Sequence, residues 1–113
     1  MRVERNAATA TAPVFNATRN VTQLFHQRRV FVLKKPINLK VSRVDRGRRI
    51  LASYSPLNID GYGEDLEAAL GLFVDNFAAI WDVIASEAEQ RLTPDAQRLK
   101  RKMRELVAEV KQL

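Results

Sequence analysis

Between residues 37 and 55 the chain alternates. Ile37, Leu39 and Val41 are separated by Asn38 and Lys40, and the same period of two returns through Ile50, Ala52 and Tyr54. That period belongs to strands with one buried and one wet face. Between the two runs lies Asp45-Arg-Gly-Arg48, where Gly47 can take the positive φ of a tight reversal, so the pattern predicts an antiparallel hairpin. Upstream, Arg29-Val-Phe-Val-Leu33 is rich in strand formers and a strand is expected at about 29–34. From Val21 the signals conflict, since Val21, Leu24, Phe25 and Arg28 have helical spacing. Pro36 cannot donate to a ladder, so it is expected to mark a boundary or a sheet edge.

After Tyr54 the period changes. Pro56 cannot donate to a ladder, and Gly61 and Gly63 tolerate the left-handed conformations that a tight reversal requires, so the strand should end here. Asp65 can accept from the free amides of a first helical turn, with Glu64 and Glu67 beside the positive end of the dipole. A helix is therefore predicted from about 65. Leu66, Ala69, Leu70, Phe73, Val74, Phe77, Ile80, Trp81 and Ile84 draw one apolar stripe along it, expected to cover the hairpin. Thr93-Pro94-Asp95 is a second start signal, a hydroxyl cap followed by proline and an acid. The second helix is expected to reach the C-terminus. Its apolar positions Leu99, Met103, Leu106 and Val110 alternate spacings of four and three, a seam suited to pairing with another helix or another copy of the chain. The whole reads as α+β: an antiparallel sheet of three or so strands, one long covering helix and a C-terminal helix. The expected organisation is a flexible extension over 1–20, an α+β domain over 21–90 and a helix over 91–113.

Composition adds limits to this outline. With 113 residues and 46% hydrophobic positions, one small core is expected. There is no cysteine, hence neither a disulfide framework nor a thiolate zinc site. No apolar h-region opens the chain, and no apolar run matches a bilayer, so a cytoplasmic protein without a membrane partner is expected.

Charge sharpens the picture. Residues 1–49 hold twelve Lys and Arg against two acids, residues 50–90 hold eight acids and no base, and residues 91–113 hold seven bases and three acids. An acidic segment between basic ones can meet a basic partner, or its elements can pack against each other. Arg43, Arg46, Arg48 and Arg49, with Arg28, Arg29, Lys34, Lys35 and Lys40 nearby and Phe25 and Phe31 interleaved, form a surface that could meet phosphates.

Catalytic chemistry finds no constellation. His26 is the single histidine, and Asp75, Asp82 and Glu89 recur every seven residues, about 10 Å apart along a helix, too far for one metal. They read as a solvated or partner-facing stripe. Gly61-Tyr-Gly63 lacks the third glycine and the Lys-Ser/Thr of a phosphate cradle. Ser53, Ser55 and Thr93 have no local general base. No catalytic residue, metal or cofactor is expected.

Residues 37 to about 81 resemble the HicB-type antitoxin domain of bacterial toxin-antitoxin pairs. The likeness is carried by Tyr54-Ser-Pro56, Gly61-Tyr-Gly63-Glu-Asp65 and Leu66-Glu-Ala-Ala-Leu70. It implies a partly reduced ribonuclease-H-like layer of three or four strands backed by a helix, and a protein that neutralises a small, basic, RNA-cleaving toxin by binding it. Many members add a DNA-binding element. This chain differs in having no strand signal over 85–92, one capped helix at its C-terminus, and no counterpart for its first 33 residues. The expected partner is a small basic protein, with Asp60, Glu64, Asp75 and Asp82 as contacts. The alternative is a nucleic acid on Arg43, Arg46, Arg48 and Arg49. Leu99, Met103, Leu106 and Val110 would hold a homo-oligomer together.

Overall fold

A computed structural model describes residues 16–113 of the chain. In order, these form strands β1 (Asn16–His26), β2 (Arg29–Val44), β3 (Arg49–Tyr54) and β4 (Ile59–Gly63), helix α1 (Leu66–Ile80), helix α2 (Pro94–Leu106) and strand β5 (Val107–Gln112). All pairings are antiparallel. The sheet runs β1-β2-β3-β4, while β5 pairs with the first half of β2 on the edge opposite β1. The fold is α+β as expected, with five strands among the described residues where about three were expected.

The predicted hairpin is β2 and β3, in the register Val41↔Ala52 and Arg43↔Ile50. Its reversal places Asp45, Arg46 and Gly47 at positive φ, +54°, +57° and +85°. The conflict from Val21 onward resolves to strand. Leu24 and Phe31 are cross-strand partners and both are buried, so pairing and burial override the local helical spacing. Residues 16–20, expected to lie in a flexible extension, are part of β1; the rest of that segment falls outside the described residues.

Pro36 does not end its strand. Val21 pairs with Ile37 and Gln23 with Val32, so Thr22 stands opposite the four residues from Leu33 to Pro36. On the other edge β5 reaches only as far as Leu33, and β3 begins at Lys40. Proline sits where neither ladder asks for its missing N–H.

Gly61 and Gly63, expected to serve a reversal after the strand, lie in a further strand, β4. Neither has positive φ; the left-handed residue of that corner is Asn58, at +55°. What the glycines provide is room. A Cβ on Gly61 would lie 2.6 Å from Phe73 Cα and closer still to Phe73 N and Ala69 O, and one on Gly63 would meet Ala68 Cβ at 2.5 Å. The backbone of α1 therefore rests on that of β4. Asp65 caps the helix as predicted, its Oδ1 accepting from Ala68 N at 2.8 Å.

The apolar stripe of α1 faces the sheet: Ala69, Phe73, Phe77 and Ala78 are buried, and Leu70, Val74, Ile80 and Trp81 pack beside them. Phe31 on β2 meets Phe77 and Trp81 edge to face, with centroids 5.3 and 5.7 Å away. Leu66–Ala85 is long and apolar enough, by length and composition, to cross a membrane, but its apolar side lies on the sheet in the manner of a core helix.

The C-terminal third departs most from expectation. Thr93 caps α2, Oγ1 accepting from Ala96 N at 3.2 Å, yet the helix stops at Leu106 and the chain becomes β5. Val107 and Val110 are β-branched and pair with Leu33 and Phe31, which satisfies the backbone of β2 where β3 does not reach. Met103, Leu106 and Val107 belong to one core with Phe31, Phe73 and Phe77. Residues 91–113 thus complete the domain and are not an appended helix.

Candidate binding surfaces

The four acids expected to meet a partner are split between two layers. Asp60 projects from β4 on the side away from α1, since its strand neighbours Ile59 and Gly61 are buried toward the helix. Glu64 follows the end of that strand and is exposed. Asp75 and Asp82 lie past the middle of the helical segment, over the β1–β2 turn. There Asp75 Oδ1 is 3.4 Å from His26 Nε2, while Asp82 accepts two hydrogen bonds from Arg29, at 2.6 Å from Nη1 and 3.0 Å from Nη2. That bidentate bond holds the Asp82 carboxyl below the usual carboxylate range and raises Arg29. Half of the expected acidic surface is therefore engaged within the chain.

The seven-residue stripe is broken as well. The helix widens into a π-type turn at Trp81–Ala85 and ends before Glu89, which pairs with Arg101 at 3.0 Å. Asp75, Asp82 and Glu89 each face a basic group of this chain.

The expected oligomer seam needs correction. Met103 and Leu106 are buried, and Leu99 and Val110 pack against the same core. These side chains are spent on the fold, because the strand after α2 turns the seam inward. A homo-oligomer would need another surface.

Basic residues fare differently. Arg43 donates to the Gly47 carbonyl at 3.2 Å, and Arg49 reaches Asp45 at 4.0 Å and lies over the Tyr62 ring, 5.2 Å from its centroid. Among the described residues, no acid lies within ion-pairing distance of Lys34, Lys35, Lys40, Arg46 or Arg48. The four predicted arginines cluster at the tip of the β2–β3 hairpin.

Two concavities flank these elements. An apolar groove of about 450 Å³ runs between β1 and α1, lined by Val21, Leu24, Phe25, Leu70 and Val74 with His26 at its rim. A more polar hollow of about 480 Å³ opens where β3 and β5 leave β2 uncovered, lined by Thr18, Asn38, Lys40, Ser53 and Ser55. No group of three or more metal-ligating side chains occurs among the described residues.

Sequence reasoning missed the helix-free face of the sheet and Tyr62 upon it. The signal was present: in Ile59-Asp-Gly-Tyr-Gly63 the small residues alternate with Tyr62, so a helix resting on the glycines must leave the ring outside. It is 51% exposed. Compared with known proteins, the chain matches no family model, no curated protein and no solved structure.

Proposed function

We propose that the chain is a non-catalytic binding module of the HicB-like kind, acting in the cytoplasm on a small basic protein. The observation that carries this reading is the fit of the resembling residues to one folding unit. Tyr54 ends β3, Pro56 lies in the short turn that follows, Gly61 and Gly63 admit the backbone of α1, and Asp65 caps the helix. Residues scattered over a motif thus share one mechanical purpose, which supports a common layer of the partly reduced ribonuclease-H type. The strand that residues 85–92 lack arrives later, as β5.

On this reading the partner meets the β4 rim at Asp60 and Glu64, the two candidate acids without an ion pair among the described residues. Asp75 and Asp82 serve the fold. Co-expression with a small basic protein encoded beside this chain should give a complex that co-elutes on size exclusion. Asp60→Lys with Glu64→Lys should abolish it and Asp82→Asn should leave it intact. Absence of any complex with such a protein overturns the proposal.

A second reading, nucleic-acid binding, is favoured by one observation: Lys34, Lys35, Lys40, Arg46 and Arg48, on β2 and its hairpin tip, have no acid within ion-pairing distance among the described residues. Free cations release counterions when they meet phosphates, so affinity would fall steeply with salt.

A further inference from the structure

We infer that the helix-free face of the sheet is a platform for single-stranded nucleic acid, with a base stacked on Tyr62 and the backbone tracking Lys40 and Arg49. This deepens the second reading and rests on it. It moves the site from the hairpin tip to a defined surface.

Cross-strand partners share a face, so the ladder itself assigns that surface. One row is Thr18, Lys40, Ser53 and Asp60; the next is Ser42, Leu51 and Tyr62; Val44 and Arg49 form the third. Asn20 and Asn38 pair beyond Thr18, joined by a 3.2 Å side-chain hydrogen bond. Both helices lie on the opposite side, so nothing among the described residues covers this one.

Its chemistry is graded. At one end Tyr62 presents a half-exposed ring held by the Arg49 guanidinium, and aromatic rings beside arginine are where unpaired bases stack. At the other end is the polar hollow, with hydroxyl, amide and ammonium groups from Thr18, Ser53, Asn38 and Lys40. By strand geometry the two ends are about 16 Å apart, long enough for a short run of nucleotides. A duplex keeps its bases stacked on each other and cannot offer one to the ring. Asp60, beside Tyr62 on β4, repels phosphate and accepts from amino groups, so it turns the base and not the backbone toward that rim.

Fluorescence anisotropy of the full chain with a labelled mixed-sequence single strand, as DNA and as RNA, and with its duplex, tests this. The single strand should bind more tightly than the duplex. Tyr62→Ala should weaken it about 10-fold or more, and Tyr62→Phe should restore it. Lys40→Ala should reduce the salt slope by about 0.7. Arg98→Ala, on α2, should change neither. Because Tyr62 and Lys40 are exposed, each variant should keep the parent's thermal midpoint within a few degrees; should Tyr62→Ala lose it, Tyr62→Leu and Lys40→Glu carry the test. Binding unchanged in these variants, or equal for duplex, overturns the platform and leaves the nucleic-acid reading standing elsewhere on the molecule. No binding of any strand at about 50 mM salt removes both, leaving the protein partner.

Discussion

The two ends of α1 meet the sheet in opposite ways. At its start the helix lies backbone on backbone against β4, with Gly61 beneath Ala69 and Phe73 and a small cluster of Val41, Ile50, Ala52 and Ala69 alongside. Towards its end, large side chains stand between the layers: Phe77 and Trp81 meet Phe31 edge to face, and Met103 and Leu106 of α2 close the same core. The helix is therefore inclined, tight where residues are small and lifted where they are aromatic. Close packing by small residues tolerates no added atom, whereas packing by large ones tolerates no lost one.

The largest effect is expected at the lifted end. Phe77→Ala should cost about 3–5 kcal/mol in denaturant unfolding, since a fully buried ring leaves a cavity the surrounding core can only partly close. A cost below about 1 kcal/mol would mean that the aromatic wedge does not hold the helix.

At the tight end the sign of the change reverses. Gly61→Ala should cost about 1–3 kcal/mol, because the new Cβ runs into helix backbone and not into the movable tip of a side chain. Gly71 is the matched control. It lies within α1, exposed, with nothing within 4 Å of an added Cβ, so Gly71→Ala should stabilise by about 0.5–1 kcal/mol. Equal effects at the two glycines would erase the proposed contrast.

The same contrast explains what could be foreseen. The β2–β3 hairpin, the caps at Asp65 and Thr93 and the inward stripe of α1 depend on neighbours a few residues away, and local period reveals them. Two features depend on partners far along the chain. β5 becomes a strand because β2 has an open edge at Arg29–Leu33, and no pattern inside 107–112 announces that vacancy. Pro36 continues a strand because both neighbouring ladders lapse there, which only the register discloses. The acidic positions were visible as residue types, but not which of them would find bases within the fold. Asp82 stands 53 residues from Arg29, a pairing that no local spacing encodes. Tyr62 was legible in principle, since glycines on either side of an aromatic mark the face against which a helix lies.

The smallest expected effect tests the pin that fixes the lifted end over the β1–β2 turn. Arg29 holds Asp82 through two hydrogen bonds, and the Asp82 side chain is 52% exposed, so solvent screens the pair and its worth is about 0.2–1 kcal/mol. Its pH dependence has a definite sign. The folded carboxyl titrates below its ordinary value of 3.8, so its stabilising contribution is complete above that value and disappears as pH falls through the lower, folded one. Arg29 is raised and stays charged throughout that range. Asp82→Asn should therefore be less stable than the parent at neutral pH, and the gap should close in acid as the parent's own carboxylate takes up a proton. Unfolding free energies of the two proteins, measured from pH 7 to about pH 2, check this. A gap that persists undiminished in acid would assign the effect to packing, and the helix end would then be held by its aromatic wedge alone.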